Sequence, residues 1–180
     1  MTFKHSKTLK ELTLMVVCAS ILFVQQISLS FIPNVQFSVL LIILYTKMLG
    51  FKKTSLIIVV HVAAINLLSP FGPVVPTLIP AMFIAWMIVP VLLTTVFRKV
   101  ENVIWLSIFG LLYGFVYGWV YIPFTVFLLD TPFVPYLIMD IPFEVLMGIS
   151  NMISILWLYE PLKKAFTQQL NILENRPVEI

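Results

Sequence analysis

Long apolar runs, broken by short polar or proline-bearing segments, recur along the chain. Residues 9–30, with Lys4 and Lys7 ahead of them and Lys10 at their start, are apolar almost throughout. A second run, 35–49, ends among Lys47, Gly50, Lys52 and Lys53, with Gly50 placed as a helix stop, and a third occupies 54–68. Ser69-Pro70-Phe71-Gly72-Pro73 with Pro76 reads as a rigid turn. Runs at 77–97, 103–121 and 140–159 follow it, the first of them carrying Pro90, which predicts a kink. Crossing the hydrocarbon core of a bilayer takes about 20 apolar residues in a helix. The pattern therefore predicts an all-α integral membrane protein with six transmembrane helices in one membrane domain, 1–180. Between the last two runs, 122–139 holds Pro123, Pro132 and Pro135 among aromatics and reads as a loop. Residues 163–180 read as a short polar tail that continues as a helix before fraying.

Numbering the breaks alternately separates the charges. One side receives the N-terminus, the Lys47 to Lys53 break, the Arg98-Lys99 break and the tail, and it holds all eleven basic residues. The other side, 31–34, 69–76 and 122–139, holds none, and its charges are Asp130 and the adjoining Asp140. Basic residues concentrate in cytoplasmic segments, so both termini are expected in the cytoplasm of a multi-pass cell-membrane protein. The first run is long enough to span and lacks a small-x-small cleavage site, so it reads as an uncleaved helix rather than a signal peptide.

Composition narrows the choice of function. At 61% hydrophobic and 11% charged, with a mean hydropathy of +1.06, the chain is outside the range of water-soluble domains. Its 180 residues leave no room for a soluble domain beyond six helices. Cys18 alone makes no intrachain disulfide, and His5 and His61 make no zinc cluster, so no metal site is expected. A net charge of +3 is explained by the sidedness of the lysines and arginines, and no nucleic-acid partner is implied.

Gly110, Gly114 and Gly118 recur every four residues, which strips one helix face of side chains and predicts close helix packing. Tyr113, Tyr117 and Tyr121 run beside them, with Trp119 near the end. Tyr113 lies too deep for an interfacial aromatic belt, so its hydroxyl needs a buried partner. In the last run Asp140 suits a helix cap and Pro142 a first turn. Asp140, Glu144 and Asn151 share a face, and an intramembrane acid is costly unless it faces protein or water. His61 reads as a helix-packing group. Gln25, Gln26, Asn34 and Gln36 add amides on the side without lysines, and with Trp86 and Asn66 they predict a cavity for a small, partly aromatic solute.

No enzyme is expected. Gly50-Phe51-Lys52-Lys53-Thr54 lacks the glycine and spacing of a phosphate loop. Gly148-Ile149-Ser150-Asn151 has no following histidine to serve as a base. No HExxH motif and no acidic pair at metal spacing occurs.

Nearly the whole chain resembles the S component, the substrate-binding membrane subunit, of energy-coupling factor (ECF) vitamin transporters. The resemblance lies in the six short spans, the start Lys7-Thr8-Leu9-Lys10-Glu11-Leu12, the segment Ile32-Pro33-Asn34-Val35-Gln36, and Asp140-Ile141-Pro142-Phe143-Glu144-Val145-Leu146-Met147-Gly148-Ile149-Ser150-Asn151. It implies high-affinity vitamin capture from outside, then delivery to an ECF transmembrane coupling subunit with two cytoplasmic ATPases. ATP would be used only by those partners. Substrate-binding positions by resemblance are Asn34, Gln36, Trp86, Tyr113, Tyr117, Asp140, Glu144 and Asn151. Docking in the family uses two alanines four apart on the first span; here Met15, Ala19 and Ser20 occupy that region, with Met15 departing from the pattern. The two segments look most like the cobalamin-type branch, with riboflavin or another ring-bearing vitamin as the alternative. The absence of outward Lys or Arg argues against an anionic phosphate ligand. A self-contained small-solute or proton-coupled carrier, with Glu144 as the coupling acid, is the rival class. A membrane assembly subunit recruiting a partner through the glycine face is a third.

Overall fold

The computed structural model describes residues 2–68 and 74–173, with side chains described from Thr8 onward. The 69–73 turn, the Lys4, His5 and Lys7 side chains and the tail beyond 173 lie outside the described residues. Within them the chain is all-helical, with six α-helices: α1 (Thr2–Ser28), α2 (Ser38–Leu49), α3 (Phe51–Leu67), α4 (Ile79–Thr94), α5 (Val103–Leu128) and α6 (Phe133–Leu173), plus a 3-10 turn, Pro76–Leu78, leading into α4. Four segments are long and apolar enough to cross a membrane: 8–28, 76–94, 103–128 and 133–173. Large apolar side chains such as Leu112, Phe127, Trp105 and Trp157 stand exposed on the outer faces, a surface compatible with a membrane protein.

The shortest α-helix is the central one. At 12 residues, α2 is roughly 18 Å long, and every residue from Ser38 to Thr46 is buried, as expected for a helix apolar on all sides. It packs against α1, α3, α4 and α6. The second run is therefore helical only from Ser38, because the backbone before it is pinned from α1. Gln25 Oε1 accepts the Phe37 amide at 2.8 Å, while Gln25 Nε2 donates to Ser38 Oγ at 2.7 Å and Ser38 Oγ donates to Gln36 Oε1 at 3.0 Å. Gly50, at φ 80°, turns α2 directly into α3 and returns its N–H to the Thr46 carbonyl, a conformation that favours glycine.

The largest departure from the sequence pattern is at the α5–α6 hairpin. The 122–139 loop is mostly helix: α5 passes through Pro123 to Leu128 and α6 begins at Phe133, which leaves only 129–132 as the connection, with Asp130 at φ 51°. Asp140 is thus inside α6 and not its cap, and Pro142 is in its third turn, not its first. Pro142 lacks an N–H and frees the Ile138 carbonyl, but the helix runs on for 41 residues in all, roughly 60 Å. It continues past Tyr159 without a break. The fourth run forms a helix over 79–94 rather than 77–97, with Pro90 inside it.

Contacts place Lys10, Lys47 and Lys53 at one end of the bundle. Lys53 pairs with Glu11 at 3.2 Å, Lys10 Nζ donates to the Leu173 carbonyl, and Lys47 Nζ donates to the carbonyls of Phe97 and Arg98 beyond the end of α4. The connections 29–37, 74–78 and 129–132 are at the opposite ends of these helices.

Candidate functional site

Two lobes of one cleft open among the connections remote from the lysines. The larger, about 490 Å³, is bounded by Gln26, Asn34, Gln36 and Asn66, with Ile32, Val35, Ile65, Val74, Leu78 and Met82 as its apolar wall. The smaller, about 230 Å³, is bounded by Gly118, Tyr136, Asp140, Glu144 and Met147. Asn34, Tyr117 and Tyr121 border both lobes, and the two tyrosine hydroxyls are joined at 3.1 Å, so a tyrosine pair forms the partition.

Local sequence explains how each wall is held. Asn34 adopts φ 58°, a left-handed conformation that asparagine tolerates, and its Nδ2 reaches across to the Phe143 carbonyl on α6 at 3.2 Å. That bond ties the 29–37 connection over the seam between the lobes. Gln36 is fixed through Ser38. Asn66 Nδ2 bonds back to the Val62 carbonyl at 2.8 Å. Gln26 Oε1 is buried without a partner.

The acid lobe exists because of glycine. A Cβ added at Gly118 would collide with Glu144 Oε1 and approach Asp140 Oδ2 to 2.8 Å, so both carboxylates converge on the bare backbone of α5. Glu144 is only 3% exposed and its Oε1 has no hydrogen-bond partner, while the Trp119 indole flanks the same carboxylate. Among the described residues, neither lobe is lined by lysine, arginine or histidine.

Of the eight positions singled out for substrate, the cleft brings together Asn34, Gln36, Tyr117, Asp140 and Glu144. Trp86, Tyr113 and Asn151 line neither lobe. Trp86 is fully buried, 4.8 Å from the Tyr117 ring, and supports the partition from behind. Tyr113 donates its hydroxyl to the Ala85 carbonyl at 2.6 Å, joining α5 to α4. Asn151 donates to the Gly110 carbonyl at 3.2 Å, joining α6 to α5 where Gly110, Gly114 and Gly118 face that helix. All three are packed between helices, and Asn151 Oδ1 is buried without a hydrogen-bond partner. His61 is fully buried beside Trp86, but neither of its nitrogens is hydrogen-bonded, and nor is Trp86 Nε1.

Tyr136 and the 74–82 wall escaped the sequence reading. Tyr136 precedes Asp140 and Glu144 at successive steps of four, a stripe visible once α6 is extended to Phe133. Tyr121, one turn beyond Tyr117, is in the partition. On α1, Met15, Ala19 and Ser20 border a separate apolar groove of about 360 Å³ with α3. Ala19 itself is buried in the core, whereas Ser20 and Val16 are exposed.

Set against family models, curated proteins and solved structures, the chain matches none of them.

Proposed function

We propose that this chain is a solute-capturing membrane subunit of the ECF S-component type, inserted with both termini in the cytoplasm. It binds a ring-bearing vitamin at the non-cytoplasmic end and relies on an ECF coupling subunit and two ATPases for release inward. The observation that carries the reading is the cleft itself. It combines amides, tyrosines, one buried and one half-buried carboxylate on an apolar wall, at the end of the bundle that the lysines avoid, with no nucleophile–base pair among the described lining residues. Capture sites have this composition: mostly apolar, with a few polar groups that fix orientation. The sidedness of the basic residues supports the orientation.

Size bears on the solute. Lobes of about 490 and 230 Å³ enclose a molecule of drug size. A smaller ring-bearing vitamin fits better than cobalamin, whose corrin would stand partly outside. The rival carrier reading draws its support from Glu144, a buried carboxylate with an orphan oxygen, and predicts transport by the purified chain alone.

The test is to purify the chain in mild detergent from cells grown in rich medium, then record its absorption spectrum and the masses extracted from it. A co-purified vitamin supports the capture reading, and a red corrin or yellow flavin spectrum names the branch. A colourless preparation with no vitamin mass, also after vitamins are added, overturns it.

A further inference from the structure

We propose that the smaller lobe is a receptor for an organic cation, a protonated amine or quaternary ammonium group, held between the carboxylates of Asp140 and Glu144 and walled by Tyr117, Tyr121 and Tyr136. The proposal rests on the capture reading and adds the charge of what is captured.

Two carboxylates one helical turn apart converge on Gly118, and like charges at that separation raise the cost of ionising both. The deeper of the two, Glu144, is 3% exposed and carries an oxygen with no partner. A carboxylate buried in this way is strongly unfavourable unless a proton neutralises it or a counter-charge accompanies it. Among the described residues the lining of the lobe supplies no lysine, arginine or histidine, so a cationic solute is the counter-charge that this lobe can take.

The surroundings select the kind of cation. Hard metal ions take six or more oxygens in a close shell, and this lobe offers only two carboxylates in about 230 Å³. Three tyrosine rings in the same wall suit an ammonium group, which the negative face of an aromatic ring attracts. The adjoining amide-lined lobe receives the remainder of the solute across the Tyr117–Tyr121 partition.

The experiment uses the full chain in mild detergent at pH 7 with two probes of matched shape, 2-phenylethylammonium and 2-phenylethanol, titrated calorimetrically. The cation is expected to bind at least about tenfold more tightly than the alcohol, as for loss of one charge-assisted contact. The preference is expected to vanish in Glu144→Gln and to weaken in Asp140→Asn. The second variant changes a half-buried group and guards against misfolding of the first. Equal binding of the two probes, binding of neither, or a preference that survives both substitutions overturns the cation site. The extracted masses separate this proposal from the capture reading. A co-purified neutral or anionic ring solute overturns the cation and keeps capture. A choline or ethanolamine phospholipid as the sole bound mass, displaced by the ammonium probe, keeps the cation site and overturns capture of a vitamin.

Discussion

Gly114 and Gly148 meet backbone to backbone across the α5–α6 seam: a Cβ on Gly114 would stand 2.6 Å from the Gly148 Cα and 2.9 Å from the Glu144 carbonyl oxygen. Both obstacles are main chain and neither can turn away. Gly114→Ala is therefore expected to force the helices apart and to cost about 1–3 kcal/mol, the range for overpacking. Gly110→Ala, whose nearest obstacle is the flexible tip of Ile155, is expected to cost less. Thermal unfolding of the two variants in one detergent checks the order.

Asn34 combines backbone and side-chain roles that substitutions can separate. Glycine accepts its φ of 58° without strain, whereas alanine there adds about 1–2 kcal/mol. Both remove the amide that reaches Phe143. Asn34→Gly and Asn34→Ala are expected to lose affinity for the co-purified solute alike, but only the alanine variant should also melt markedly earlier.

Tyr113 and Tyr117, one turn apart on α5, should respond differently. Removing the Tyr113 hydroxyl breaks its bond to Ala85 and should cost about 1 kcal/mol of stability while leaving solute binding in place. Tyr117→Leu removes the partition between the lobes and should abolish binding. Paired melting and binding measurements would contradict the assignment if Tyr113→Phe lost affinity.

His61 presents the opposite case, a buried polar ring with no hydrogen-bond partner. Replacing such a group by an apolar one of similar size removes a desolvation penalty of about 1–3 kcal/mol. His61→Leu is accordingly expected to be at least as stable as the parent in thermal unfolding.

The Glu11–Lys53 pair is 3.2 Å long, but its side chains are 44% and 38% exposed. Glu11→Gln should change stability by less than about 1 kcal/mol, a small effect that the same unfolding assay would resolve against Gly114→Ala.

Some of the candidate site is legible in the sequence. The amides Gln26, Asn34 and Gln36 stood out as polar groups on an apolar background, and Asp140 with Glu144 stood out as acids spaced by one turn. The site's far wall was not legible. Pro123, Pro132 and Pro135 read as breakers, although Pro135 falls within the first turn of α6, where its missing N–H costs little. Pro123 and Pro142 are carried inside helices, as apolar packed surroundings allow. Treating 122–139 as loop put Tyr136 off the stripe it belongs to.

What the sequence determined by itself is local. Hydrophobic runs and their breaks specify the helices, the four-residue spacing of Gly110, Gly114 and Gly118 specifies a bare face, and the uneven lysines mark one end. Each depends on residues within a turn or two of one another. Which face meets which was decided only by the tertiary structure, because the rotation and crossing of each helix are set by side chains far away in the chain. Trp86, Tyr113 and Asn151 share faces with the cleft residues and yet turn into the packed interior. Asp140 and Glu144 reach the cleft because Gly118 leaves space opposite them.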